Sequence, residues 1–292
     1  MSKAVLRRCR LWAVVLLLLV SACSGTSFVY NRLDLLVPWY VDDYAELTQE
    51  QKVYLDTLLA PFLTWHRTQE LPAYLALLQG IEASLKQPLI PAGIANIFAK
   101  FEQAWLRLEG AALEKLLDLG ARLSDAQIAG FLDVLRERQQ EYEEEYLART
   151  DEEFYQDSYD DFLDSAQDYL GNLSAPQREM LRTASRRLLR SDQAWLQGRA
   201  DWLQQLAVLL QRQPGWEEKI RAQVAARNDN TPPEHRRIYE HNMGIIFEAL
   251  AQLLNGRNDQ QDRHLRDKLS ALQDDIEALI AQGKAPTPAP SG

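Results

Sequence analysis

Leu47-Thr48-Gln49-Glu50-Gln51 reads as the start of a helix. The Thr48 hydroxyl can accept from the amide of Gln51, and the Gln51 side chain can reach back to the Thr48 amide, a reciprocal capping box. The same shape returns at Leu123-Ser124-x-x-Gln127 and at Leu173-Ser174-x-x-Gln177, each time ahead of an amphipathic run, and Gln260-Gln261-Asp262-Arg263-His264-Leu265 is a degenerate fourth start. Two readings stand: helical bundles reuse good N-caps, or the chain descends from a repeated helical hairpin. Trp65 before Tyr74-Leu75 and Trp195 before Trp202-Leu203 echo each other and fit the second.

The runs after these starts carry apolar residues at helical spacing. Val53, Leu55, Leu58, Leu59, Phe62 and Trp65 follow the first, with the helix running to about Arg67. A turn at Glu70-Leu71-Pro72 is then expected to start a second helix through Leu85, the two forming an antiparallel hairpin. A long helix from Ala92 to about Leu119 carries Ile94, Phe101, Trp105 and Leu108 on one stripe. Leu265, Leu269, Leu272, Ile276 and Leu279 are spaced four, three, four, three, a coiled-coil-like seam. Leu, Ala, Gln, Glu and Arg dominate and β-branched alternation is lacking, so the expected fold is all-α, a multi-helix bundle of antiparallel helical hairpins. The domain spans 32–283, with possible halves 32–121 and 122–283. The cluster before Asp42 is expected as a short helix ended near Pro38, and 284–292 as a disordered tail.

Charge is distributed unevenly. Between Glu141 and Asp168 lie twelve carboxylates and one arginine, interleaved with Tyr142, Tyr146, Phe154, Tyr155, Tyr159 and Phe162. The next helix, read as continuous from Ala175 to Arg212, is basic, and opposite charge predicts that it lies antiparallel to the acidic segment. The acidic tract either binds cations or basic polypeptide, or is a solvated face paired with that helix.

Lys3, Arg7, Arg8 and Arg10 precede an apolar core from Leu11 to Val20, well short of the ~20 residues that a spanning helix requires. This is a signal peptide, residues 1–22, and Val20-Ser21-Ala22-Cys23 resembles the lipobox of bacterial lipoproteins. The resemblance implies lipidation of Cys23 with diacylglycerol and, on the new amine, a further acyl chain such as palmitate. It also implies a lipidated tether over 23–31. Ser24, in place of the aspartate that commonly retains such proteins in the inner membrane, points to the periplasmic leaflet of the outer membrane.

Cleavage before Cys23 removes four cations and leaves 28 Lys and Arg against 42 Asp and Glu, a formal charge of −14. Such a balance disfavours nucleic acid. Of the two cysteines Cys9 is discarded and Cys23 goes to lipid, so no disulfide is expected.

Glycine-rich phosphate loops, nucleophile elbows and His-Glu-x-x-His are absent, and no cofactor is implied. His235 and His241, six apart, fall on different helix faces, so no metal site is expected. Asp42-Asp43 offers either a carboxylate pair or a charged turn. Trp65-His66-Arg67 with Glu70 offers either a coupled ionisation or a hydrogen bond that anchors the turn.

The lipobox, Trp39-Tyr40-x-Asp42-Asp43-Tyr44, Leu47-Thr48-x-x-Gln51, Trp65-His66-Arg67-x-x-Glu70-Leu71-Pro72-x-Tyr74 and the late Gln261-Asp262-Arg263-His264-Leu265 together resemble the DUF6279 family of proteobacterial lipoproteins. No assigned activity or catalytic residue comes with that resemblance. The Leu-Thr-x-x-Gln pattern is also similar to the motif of small periplasmic helical chaperones of the Spy and CpxP type. The expected function is therefore a non-enzymatic, outer-membrane-anchored scaffold or chaperone-like binder of envelope polypeptides. The candidate cluster is Asp42, Asp43, Trp65, His66, Arg67, Glu70 and Tyr74. The alternative is an envelope hydrolase using carboxylates of the Asp42 to Tyr74 region.

Overall fold

A computed structural model describes residues 25–284. The expected signal peptide, the expected lipidation site Cys23 and the expected disordered tail beyond Lys284 lie outside the described residues. Within them every regular element is helical.

In chain order the helices are α1 (Gly25–Tyr30), α2 (Leu33–Ala45), α3 (Gln49–Trp65), α4 (Leu71–Ser84), α5 (Pro91–Gly120) and α6 (Asp125–Leu147), then α7 (Asp151–Leu170), α8 (Ala175–Arg186), α9 (Asp192–Leu209), α10 (Trp216–Ala225), α11 (Pro233–Asn255) and α12 (Asp259–Lys284). Three sequence expectations are corrected. The stretch expected as a tether to residue 31 is helical from Gly25, and Tyr30 is buried. Helix α2 continues through Pro38 to Ala45, because Val41 and Ala45 pack into a core with Leu55, Leu58 and Leu119. The basic segment is two helices, α8 and α9, with a break over 187–191.

The expected hairpin after α3 is also replaced. Helix α3 runs without a turn into a π-helical segment, His66–Glu70, and on into α4, the Leu71 amide donating to the His66 carbonyl. Pro72 explains the widening: it has no amide for the Thr68 carbonyl and its ring crowds that carbonyl, so the chain loosens by one residue instead of breaking. Helix α4 instead pairs antiparallel with α12, Gly283 lying against the Arg67 stem and Gln273 donating to Glu82 at 3.0 Å. The heptad seam of α12 fills this contact, and Ile276 and Leu279 are among the most completely buried side chains.

Since α12 packs on α1, α4 and α7, the largest core draws on both ends of the chain, from Tyr30 and Leu71 to Leu181, Leu253 and Leu279. The possible halves 32–121 and 122–283 each hold a smaller cluster, Ala45, Leu55, Leu58 and Leu119 in the first and Phe154, Ala184, Leu188, Ile245 and Ala249 in the second, while the largest core is shared between them. The acidic and basic segments do run antiparallel: Arg186 meets Glu152, Arg182 lies over the Tyr159 ring, and Gln139 donates to the Leu196 carbonyl.

The helix starts are used in pairs. All three boxes seen in the sequence form, and Thr150 with Glu153 adds another. Gln51 and Gln127 then join side chain to side chain, each amide nitrogen donating to the other's oxygen at 2.9 and 2.8 Å. Gln177 and Gln261 do the same at 3.0 and 2.9 Å, with Asn258 capping α12. The remaining amide hydrogens go to the carbonyls of Arg122, Glu46, Gly256 and Asn172, each two residues before the partner helix's cap. Both amides of each pair are thus fully engaged, and the two clasps share one plan.

Gln261 is buried, so Gln261→Ala strands the Gln177 amide and the Asn172 carbonyl. We expect a loss of about 2 kcal/mol in urea unfolding. Gln177→Ala should add little on top of it.

Candidate functional site

The π-helical segment places His66 and Glu70 inside the bundle, both nearly inaccessible. His66 Nδ1 and the Tyr30 hydroxyl are 3.0 Å apart, so α1 is tied to the π segment by a buried hydrogen bond. The rings of Tyr30, Phe62, Trp65 and Tyr74 surround the imidazole at centroid distances of 5.7, 6.5, 6.3 and 5.6 Å. Burial drives the His66 pKa down to about 4, with Glu70 pulling it up and Arg67 pushing it further down. The ring is therefore neutral at pH 7. His66 Nε2 and the Tyr74 hydroxyl are both buried without a hydrogen-bond partner among the described residues, and burial raises the Tyr74 and Tyr30 phenols.

Glu70 is not the partner of His66. Its carboxylate takes a two-pronged contact from Arg107 of α5, Nε to Oε1 at 2.9 Å and Nη2 to Oε2 at 2.9 Å. This geometry matches the planar fork of arginine to a carboxylate and pins α5 across the π segment. Arg67 lies over the Tyr30 ring at 5.1 Å and donates to Asn31 at 2.8 Å. Of the expected cluster the structure brings Trp65, His66, Arg67, Glu70 and Tyr74 together and adds Tyr30 and Arg107, which carried no local motif.

Asp42 and Asp43 stand apart from this cluster. Asp42 accepts from the Leu47 amide at 2.8 Å and from Lys52 Nζ at 2.8 Å, closing the corner between α2 and α3. Those contacts hold its carboxyl below the usual range, Lys52 first. Asp43 faces solvent. His241 bonds the Arg187 carbonyl while His235 lies beside Gly198, and among the described residues no group of three or more His, Cys, Asp or Glu is placed to hold a metal.

The acidic tract is split between α6 and α7. Glu141, Glu144, Glu145, Asp160 and Asp164 are exposed, whereas Asp161 has a buried oxygen with no hydrogen-bond partner among the described residues. Burial, then Asp157, Asp164 and Asp160, pushes the Asp161 carboxyl up to about 7, against the pull of Arg149. The folded protein thus holds this proton more tightly than the unfolded chain, and stability falls as pH rises from about 4 through 7. Asp161→Asn should stabilise by about 1–2 kcal/mol at pH 8 and by nothing below pH 4, as read by urea unfolding at the two values.

No helix among the described residues is long and apolar enough to cross a membrane. No curated protein and no solved structure gives a match to the chain. A family model does match it, over residues 43–236, a span that holds His66, Glu70, Tyr74, Arg107 and the whole acidic tract. The chain accordingly belongs to DUF6279, a family of unknown function.

Proposed function

We propose that this protein is a lipid-anchored helical scaffold of the bacterial envelope, held in the outer membrane through Cys23, that binds other envelope polypeptides. The observation that carries the binding role is the exposed acidic face of α6 and α7, where Glu141, Glu144, Glu145, Asp160 and Asp164 point outward beside tyrosines. Carboxylates beside the half-buried Tyr142 and Tyr155 suit basic, partly unfolded segments because charge steers the encounter, while Tyr146, Phe154 and Tyr159 are buried and pack the helices from within. The glutamine clasps and the Glu70–Arg107 pair fix the helices behind that face, which fits a rigid platform. The lipobox and its basic n-region support the anchor, and the Leu-Thr-x-x-Gln starts lend a chaperone-like cast to the reading. A hydrolase would need two carboxylates converging on one cleft; Asp42 and Glu70 are each engaged by a different cation, and no observation favours that reading.

The test is crosslinking in intact cells of the native protein against Cys23→Ser. A reproducible set of envelope polypeptides captured by the native form and lost from the unanchored one is the expected result. A mature chain that captures none of them and does not slow aggregation of an unfolded basic client would end the scaffold reading.

A further inference from the structure

The apolar outer face of α1 and α2 is unaccounted for by the bundle. Phe28, Val29, Leu35, Leu36, Trp39 and Tyr40 are six of the fifteen exposed large apolar side chains among the described residues, and they fall within thirteen residues. Scattered exposed apolar residues are ordinary, but a contiguous group marks a contact surface. In α2, Leu35, Leu36, Trp39 and Tyr40 are spaced i, i+1, i+4, i+5, which makes one stripe. The other side of the same two helices is spent on the fold: Tyr30 meets His66, and Val41 and Ala45 pack against Leu55, Leu58 and Leu119, while Tyr40 at the stripe's edge shares a 3.0 Å hydroxyl contact with Tyr44.

We propose that this stripe lies in the interfacial layer of the bilayer that holds the lipid anchor, so that the protein is seated on the membrane and not merely tethered to it. The inference rests on the lipidation of Cys23 in the preceding reading. Two features commit the occupant to lipid. First, Gly25, the first residue of α1, is two residues after Cys23, a reach of at most about 7 Å. Acyl chains on Cys23 therefore enter the membrane close to the N-terminal end of α1, which carries Phe28 and Val29. Second, the stripe pairs Phe, Trp and Tyr with aliphatic side chains, and Arg32 folds over the Phe28 ring at 5.3 Å, an arrangement suited to the boundary between headgroups and acyl chains. With Asp34 and Asp43 exposed at the margins and a mature charge of −14, attraction to anionic lipid is not the driving force. Seating should therefore persist at high salt.

The lipidated protein is reconstituted into vesicles of phosphatidylethanolamine and phosphatidylglycerol, carrying Leu35→Cys or, as a control elsewhere on the surface, Val208→Cys, each labelled with an environment-sensitive fluorophore. A thioether-blocked Cys23 leaves the new thiol as the one that labels. Mass analysis of the N-terminal peptide reports lipidation separately. The expected result is blue-shifted emission at position 35 that nitroxide lipids quench and 0.5 M salt does not reverse, with water-like emission at position 208. Leu35→Lys with Trp39→Lys should leave thermal unfolding unchanged, yet weaken vesicle binding of the unlipidated Cys23→Ser mature chain at least about tenfold. Water-like emission at 35 on a lipidated protein overturns the seating and leaves the anchor standing. Shielding at 35 that is equal without vesicles also overturns it, and assigns the face to a second protein copy. An unmodified Cys23 removes the premise and the inference together.

Discussion

Arg149→Ala is expected to cost about 3–5 kcal/mol of stability, because it leaves acidic groups stranded in the interior. The guanidinium is only 11% exposed; it donates to Asp192 at 2.7 Å and to Asp157 at 2.9 Å, and lies over the rings of Tyr146 and Phe154. Asp192 is itself buried and is shared with Arg190, which also donates to the carbonyl of Arg149 and to Asp151. The five groups join two chain breaks: residues 148–150, between α6 and α7, and residues 187–191, between α8 and α9. Truncation at Arg149 removes the central charge, after which Asp157 and Asp192 face each other's neighbourhood with Arg190 alone to compensate. Asp192→Ala in the Arg149→Ala background should then cost much less than in the native protein, since the partner it would abandon has already gone. Urea unfolding of the two single variants and the double one measures the coupling. A cost for Arg149→Ala below about 1 kcal/mol would mean that the network is solvated like a surface ion pair.

That network also shows where the sequence stops being legible. Arg149 stands out as the one cation in an acidic tract, but nothing local tells that it ends one helix and precedes another, because its partners lie up to 43 residues away. The same holds for the clasps. Leu47-Thr48-x-x-Gln51 and its copies announce helix starts through contacts three residues apart, which a sequence displays directly. That Gln51 meets Gln127 and Gln177 meets Gln261 is a fact of the tertiary fold, separated by 76 and 84 residues. Asn258, two residues ahead of the degenerate start at Gln260, lacks the serine or threonine of the other three, yet an asparagine caps as well as serine. The all-α class and the α12 seam were readable because they depend on periodicity alone. At His66 to Tyr74 the motif was visible and the geometry was not: Pro72 reads as a turn, yet burial of His66, Glu70 and Leu71 on one path keeps the helix going through a π segment.

His66 is expected to make the protein acid-sensitive, with about 3 kcal/mol lost between pH 7 and pH 4. In the unfolded chain its imidazole takes a proton near 6.5, while in the fold that event waits until about 4. Between those values the unfolded state binds more protons, so stability falls as the pH does. The cause is specific to the pocket. Four aromatic rings exclude water from the ring, Tyr30 engages Nδ1, and the one nearby carboxylate, Glu70, is already held by Arg107 and cannot give the imidazolium a full partner. Asp161 contributes the opposite slope over a similar window, as its carboxyl regains its proton in the fold below about 7. The two partly offset in the native profile, so the His66 effect is to be read as the difference between native protein and His66→Phe. The variant loses the Tyr30 hydrogen bond at every pH, a constant offset, but its stability should hold or rise from pH 6.5 to 4 where the native protein's gain from Asp161 is cancelled. Parallel profiles would show that His66 titrates normally in the fold, which requires water to reach it past Tyr30 and Tyr74.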